Sequence, residues 1–527
     1  MKKWVPENIM PYFNKLETYD GTIFDIPHFW AIDNLNYTTF AASSRGKTGP
    51  IKIVPAGPLI DPIAPVFVES CLSSGLPLAS MGFNDPKESK RVGAGYYEFS
   101  IRNGIRDSVA SAFLSPDENG SVIPDNLVIK SGATVIEILT NPIPNDINKE
   151  NKRRNQKATG IKYMSTNDGQ EWEARLLPTQ ESYFQERFHK FFPAEIILAA
   201  GAILTPQLLA NSGIHDGGKI VDLPGVGKNL QDHPMIPVAF QIKGDLLQGP
   251  STYDAAEEFS TYKQTAKKLL NTKSLNLTDL REKVKLLGVY GTAGLSAGAF
   301  LCSPFSEAGV PDIQLTVFPR IFEPHVVQQV KSAANSESQF TPLSKGIDLP
   351  SMLVTVALIQ PEARHKLRLA THKNVNQSDF KFMKKLRFEN KFQFRLPIIE
   401  TGNEEAYLTD KDVKRLAWGI NEVRRIKSFP PLSTSSANEV YPGHHIIGTE
   451  LHTFIRKNYE QNSHWSGSTK MGHESDPDAV VDEHLRVMGF SNLRIVDAGV
   501  MPIIPNGNTH STVCAIALRA VDLILGV

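Results

Sequence analysis

The stretch NSHWSGSTKMG, Asn462 to Gly472, sets a single histidine among small hydroxylated residues. An imidazole titrates near neutrality, so His464 has the chemistry of a general base, a triad member or a metal ligand. It is equally the kind of residue that fills a polar turn and does nothing further. Asn508 stands just ahead of an apolar-periodic segment that closes the chain, and the run LRIVDAG lies between the two. A helix beginning near Asn508 would offer free N–H groups and a partial positive charge, which suit an anionic ligand. Asp497 in the same run can accept hydrogen bonds from backbone N–H groups or from ribose-type hydroxyls. A turn-capping aspartate is the plainer reading of it.

Three chemistries are disfavoured by spacing. A serine hydrolase of the α/β type needs a G-x-S-x-G elbow, and no strand-to-helix turn of the sequence carries one. His464, His473 and His484 are nine and eleven positions apart, which is no ligand spacing on a helix. A dinucleotide fingerprint needs three glycines after an aliphatic strand. The nearest strings, GAGYYE (Gly93–Glu98) and GVGKNL (Gly225–Leu230), lack the third glycine and read as loops.

The elements that must position His464 and Asn508 can be read from apolar periodicity. AEIILAAGA (194–202) and NLRIVDAG (492–499) are short branched-aliphatic runs ending in small residues, the pattern of buried parallel strands entering a tight turn. ILTPQLLANSGI follows the first at helical spacing, with Pro206 expected in the first turn. The last segment places Val513, Ile516, Ala517, Ala520, Val521 and Ile524 on one helical face, with Asn508 or Thr509 as cap. NLVIKSGATVIEIL (126–139) also reads as a strand. In the middle, GTAGLSAGAFL, PDIQLTVFP, SMLVTVALIQPEARHKLRLAT and FQFRLPII are strand-like with no regular helix between them, which implies an antiparallel sheet. A helix follows with Thr409 as cap and Val413, Leu416, Ala417, Ile420 and Val423 inward. Polar stretches at 141–159 and 330–346 read as insertions, and 178–193 as an aromatic, charged segment.

The composition of the 527 residues is that of an ordinary globular protein, 41% hydrophobic and 21% charged. Lysine plus arginine equals aspartate plus glutamate at 56 each, so no basic surface calls for nucleic acid. Cys71, Cys302 and Cys514 are widely separated and read as small buried hydrophobes, and no metal is expected. No apolar run approaches the roughly eighteen residues of a membrane span. The first residues lack the apolar core of a signal peptide, and the compartment stays open.

The C-terminal block HWSGSTKMG … AVVDEHLRVMGFSNLRIVDAGVMPIIPNGNTHSTVCAIALRAVDLIL resembles the signature of the glucose–methanol–choline (GMC) flavin oxidoreductases. AAGAILTPQLLANSGI followed by DLPGVGKNLQDHP is similar to that family's internal signature: Gly201, Thr205, Pro206, Ser212 and Gly213 fall on its positions, while His215 departs from it. Weaker likeness runs from about Trp4 to Leu525. The resemblance implies FAD as cofactor, His464 as the base accepting an alcohol proton, and Asn508 as the second catalytic residue at the substrate oxygen. It places Val135 at the adenine, Ala200 and Gly201 along the nucleotide, and Asp497 with Ala498 near pyrophosphate and flavin. Asn508 and Thr509, heading the last helix, would steady negative charge on the flavin. Gly467 and Gly472 would let the turn approach it. The substrate implied is a small alcohol, polyol or sugar, with O2 or another molecule as final electron acceptor.

The fold class expected is therefore α/β with α+β elements. It combines an incomplete FAD-binding Rossmann-like domain with a substrate domain built on an antiparallel sheet. Residues 1–235 are assigned mostly to the flavin side, 236–460 to the substrate side, and 461–527 to the C-terminal part that carries the catalytic residues. The family's opening strand–GxGxxG–helix unit has no counterpart in the sequence, so an N-terminally truncated sequence is expected. The alternatives are a shortened, non-catalytic module without FAD, and a separate chain that supplies the missing unit.

Overall fold

Two kinds of apolar run occur in this chain, short ones closed by small residues and longer ones closed by turns. The structure sorts them into a parallel and an antiparallel sheet. The computed structural model describes residues 2–19, 45–55, 63–79, 82–84, 91–102, 105–114, 126–141, 156–177, 194–242, 260–261, 263–265, 295–307, 309–319, 351–370, 396–400 and 407–526. In chain order come helices α1 (Pro6–Leu16) and α2 (Ile63–Ser73) and strand β1 (Gly93–Tyr96). An antiparallel layer of β2 (Ala133–Thr140), β3 (Ala158–Ser165) and β4 (Glu171–Arg175) follows. Strand β5 (Ile196–Leu198) leads into helix α3 (Gly201–Asn211), and then comes β6 (Pro234–Ile242). The central stretch contributes β7 (Ala297–Leu301), β8 (Ile313–Phe318), β9 (Ser351–Leu358) and the paired β10 (Lys366–Ala370) and β11 (Leu396–Glu400). Last are α4 (Asp410–Lys427), β12 (Ser436–Tyr441), α5 (Gly448–Asn458), β13 (Glu460–Gln461), β14 (Leu493–Ile495) and α6 (His510–Leu525).

The antiparallel sheet runs β12–β6–β9–β8–β7–β1, with β13 also pairing β6. Its central strand β9 shows no apolar–polar alternation because both faces are covered. Met352, Val354, Val356 and Leu358 join the main core with residues of α2 and α4. Leu353 turns the other way, onto Ala239 and Tyr441. Each such side chain contributes roughly 1.5–3 kcal/mol by leaving water.

Helix α4 is set by its sequence. Thr409 accepts from the Asp412 N–H (3.1 Å) and Asp412 accepts from the Thr409 N–H (3.3 Å), a reciprocal cap that satisfies two otherwise unpaired donors. The same Asp412 accepts from the amides of Glu362 and Ala363, tying the β9–β10 connection to the helix start. Val413, Leu416, Ala417, Ile420 and Val423 are buried, as their spacing implies.

Strands β5 and β14 pair in parallel with Ile196 opposite Leu493, although some three hundred residues separate them. Helices α3 and α6 bury Leu208, Leu209, Ile516, Ala520 and Leu523 in a second core around this pair. Helix α1 lies on α6, where the Tyr12 hydroxyl donates to Asp522 and accepts from Arg519.

The mixed α/β architecture agrees with the patterning, and several local readings change: of the three cysteines only Cys71 is buried, Cys302 and Cys514 being partly exposed, and Val521 on α6 is exposed. GAGY is not a loop but strand β1, antiparallel to β7 in the large sheet. Small residues fit there because a Cβ on Gly95 would come 3.2 Å from the Phe83 ring. Of 126–139 only the part from Ala133 is strand, since Gly132 (φ +67°) turns the chain before it. Pro206 lies in the second turn of α3, where it does forfeit a helical hydrogen bond. The stretches 142–155, 178–193 and 330–346 lie outside the described residues, while 158–159 begin β3.

Helix α4 approaches the sheet through Gly419, where a Cβ would come 2.5 Å from Cγ1 of Val356. Gly419→Val is therefore expected to lower stability by about 1–3 kcal/mol through overpacking. Urea denaturation measures it, and an unchanged midpoint would mean that the helix–sheet contact is loose.

Candidate active site

The turn carrying His464 is fastened on both sides by main-chain bonds. On one side Gln231 and Ser466 exchange two N–H···O bonds of 2.9 Å, and the Asn462 N–H reaches the His233 carbonyl. On the other side Gly467, Thr469 and Met471 donate to the carbonyls of Ala498, Gly499 and Val500. Trp465 packs against the main core. Every bond is a reason for this backbone to have one conformation. Gly467 is required by its φ of +86° and by Asn229, whose carbonyl a Cβ would meet at 2.6 Å. A Cβ on Gly472 would strike Ala479 at 2.7 Å. The smallness of both glycines is thus required by contacts within the chain.

One carboxylate grips the turn. Oδ1 of Asp232 accepts from the backbone N–H of His464 (2.7 Å) and from that of His233 (2.8 Å), while its Oδ2 is buried without a hydrogen-bond partner among the described residues. Burial pushes the Asp232 carboxyl up to about 6, although the surrounding backbone amides, those of His464 and His233 first, favour its charged form. The rings of His233 and His464 meet edge to face, Nδ1 to Nδ1, at 3.0 Å. His233 is fully buried, and burial followed by the neighbouring His464 charge lowers it to about 3. Burial also lowers His464. Nearby, His365 stacks on Tyr407 at 3.8 Å and Tyr407 on Tyr459 at 4.9 Å. Burial lowers His365 to about 4.

Asn508 reaches this cluster from the head of α6. Its Nδ2 lies 3.3 Å from Nε2 of His464, and Asn508 is exposed, so the pair faces solvent. Thr509 is the cap position of α6 and makes no side-chain cap bond.

The other expected positions are placed as follows. Asp497 is buried and holds three donors: the Gly201 N–H (3.0 Å), the Thr205 hydroxyl (2.6 Å) and the Gly499 N–H (2.8 Å). It caps a turn and a helix together. Ala200 is exposed at the head of α3. Gly201 has φ +84°, and among the described residues no atom lies within 4 Å of where a Cβ would lie. Ala498 opens the short turn after Asp497. Val135 is partly exposed on β2, whose layer is tied to α3 by a bond from the Ile138 N–H to the Ser212 hydroxyl. His464 and Asn508 are brought together, and so are Asp497 and Gly201. Asp232 and His233 received no role from sequence reasoning. The signals available were their place in DLPGVGKNLQDHP and the adjacency of two titratable residues directly before a buried strand.

Comparisons with known proteins place the chain in a family. Two models described as GMC oxidoreductase match in order, one over residues 1–235 and the other over 399–517, so most of the chain is matched and it belongs to the GMC oxidoreductase family. An oxygen-dependent choline dehydrogenase of Staphylococcus haemolyticus (strain JCSC1435) is 26% identical over 538 residues, covering 100% of this chain and 74% of that protein. Pyridoxine 4-oxidase from Mesorbium loti has a similar fold, with TM-score 0.64, 21% identity, and 99% and 77% of the two chains covered. So does an FAD-dependent oxidoreductase from Chaetomium thermophilum, with TM-score 0.63, 19% identity and coverage of 99% and 80%.

Held neutral by burial, His233 and His365 cannot take up the protons that an unfolded histidine binds below about 6.5. Their contribution to stability is whole above that pH and falls as the pH drops toward 4. Asp232 opposes this, because its folded-state pKa of about 6 exceeds the unfolded 3.8, so its contribution is greatest in acid and declines as the pH rises to 6. In Asp232→Asn the loss of stability between pH 6.5 and 4 is expected to be steeper than in the wild type. Denaturation midpoints across that range measure it, and equal slopes would mean that Asp232 titrates as an ordinary surface carboxylate.

Proposed function

We propose that the chain oxidises the CH–OH group of a small alcohol, polyol or sugar, with FAD as the bound electron acceptor and O2 or another molecule as the final one. The pairing of His464 with Asn508 at the solvent-facing head of α6 carries this reading. One imidazole lone pair and one amide beside it form a minimal set for a hydroxyl group: a proton acceptor and a hydrogen-bonding partner for the oxygen. Membership of an oxidoreductase family supports it, as does the FAD-dependent structural neighbour.

The surface around the pair fits a flavin nucleotide. The positions of a Cβ on Gly201 and on Gly507 meet no atom of the described residues within 4 Å, so there is open space beside the backbone at two helix heads. The first turn of α6, sixteen residues long, offers unpaired N–H groups and the positive end of its dipole to an electron-rich group. Val135, Ala200, Gly201, Asp497, Ala498, Asn508 and Thr509 would hold the cofactor. Since the Asp497 carboxylate already has three donors, residues 497 and 498 would act through their backbone. When bound, FAD supplies the acceptor for the hydride leaving the carbinol carbon. His464 takes the hydroxyl proton at Nε2, and Asn508 fixes the oxygen beside it. Residues 1–235 and 461–527 then form the flavin side and 236–460 the substrate side, with β1 crossing into the substrate sheet.

One observation favours a second reading, a binding module without flavin. Strands β5 and β14 make a sheet of only two strands among the described residues, and Ile197 and Leu204 beside it are 48% and 53% exposed. An absorbance scan of the purified chain decides between the two. Stoichiometric flavin bands are expected, and a colourless protein that takes up no added FAD would overturn the oxidoreductase reading. In the flavin-loaded protein, His464→Ala should slow flavin reduction by roughly 10²-fold or more. An unchanged rate would remove His464 from its role.

A further inference from the structure

Building on the role of His464 as base, we propose that His233 is a positioning residue that fixes the tautomer of His464: it accepts the Nδ1 hydrogen of His464 and so leaves a lone pair on Nε2. Two Nδ1 atoms 3.0 Å apart need one hydrogen between them, since two would clash and none would set lone pair against lone pair. The neighbours decide which ring carries it. Nδ2 of Asn508 can only donate, and it points at Nε2 of His464 from 3.3 Å, so Nε2 is the acceptor and the hydrogen of that ring sits on Nδ1. His233 then accepts at Nδ1 and carries its own hydrogen on Nε2, in the core, where the backbone carbonyls of Pro505 and Ile359 lie against the ring.

Burying an imidazole is costly even with backbone partners at hand, and packing alone would be better served by an apolar residue. Its orientation gives the cost a purpose. Oδ1 of Asp232 holds the backbone N–H groups of both histidines, so the approach of the two rings is set by the main chain. Burial keeps His233 neutral, which preserves its lone pair at ordinary pH. Histidines that act on substrates or metals are commonly held in one tautomer by what the second nitrogen touches. Here that partner is another imidazole and not a carboxylate. The proton taken up at Nε2 adds no second hydrogen between the rings, so the contact survives the step.

Ring 15N NMR of the chain labelled at histidine reads the tautomer directly and needs no flavin. The His464 signals are assigned by their loss in His464→Gln. In the wild type, His464 is expected as the Nδ1–H form at pH 8. In His233→Leu, which removes the acceptor, its nitrogen shifts should move toward the Nε2–H form. In His233→Asn, whose Oδ1 can take the place of the ring nitrogen, they should stay near the wild type. An Nε2–H form in the wild type, or an unmoved His464 in a folded His233→Leu protein, would overturn the proposal. Should His233→Leu fail to fold, the wild-type and His233→Asn spectra still decide it. A wild-type Nδ1–H signature together with an unchanged rate of flavin reduction in His464→Ala would remove His464 from the role of base and leave the tautomer lock standing.

Discussion

A carboxylate withdrawn from water is expensive unless hydrogen bonds replace its hydration, and the candidate site depends on how Asp232 meets that demand. Its Oδ1 takes two backbone amides, one from each of the histidines that face each other. Those bonds come from chain segments 231 residues apart in sequence, so one oxygen closes a very long loop. The antiparallel exchange between Gln231 and Ser466 and the bond from Asn462 to the His233 carbonyl continue the same seam into the start of β6. Without Asp232 the main-chain ladder would remain, but the two amides at the point of ring contact would lose their acceptor. A buried donor left unpaired costs about 1–3 kcal/mol, comparable with a good part of a domain's net stability.

The far side of the turn is organised by a lost bond. Pro206 has no N–H, so the carbonyl of Ala202, four residues earlier, has no helical partner. The hydroxyl of fully buried Ser468 donates to that carbonyl. A defect in α3 therefore becomes an attachment point for the turn that bears His464. Asp497 acts similarly one layer away: its three donors belong to the head of α3 and to the turn after β14. The loops of the site are thus secured mainly by helix ends and strand ends, the places where backbone groups would otherwise lack partners.

Much of this was legible in the sequence, and the part that was not has a common cause. The parallel pair could be read because AEIILAAGA and NLRIVDAG each carry a local pattern, and α4 because Thr409, Asp412 and the apolar stripe lie within one short window. His464 and Asn508 could be named through family resemblance, and the structure sets them side by side. GAGY was misread because a glycine-rich string looks like a turn, whereas here the missing side chains let β1 lie under Phe83 and beside β7. For Gly467 and Gly472 small size says only that something is close, and within the chain the close neighbours are Asn229 and Ala479. The ring contact of His233 has no local trace at all: its partner is 231 positions away, and a histidine before a buried strand has many ordinary uses.

The position of the turn between the two sheets gives these bonds a further consequence. Residues 462–466 are paired to the strand that enters the antiparallel sheet, and 467–471 to the segment that leaves the parallel pair. His464 is therefore referenced to both frameworks within a few residues. If the substrate is held by one sheet and the cofactor by the other, the atom that takes the proton lies where an error in either frame is smallest. Misplacement of reacting groups by about 1 Å can cost a hundredfold in rate, so a base standing on only one of the two frames would feel every shift between them. The seam lowers that sensitivity by main-chain bonds that no side-chain motion can release.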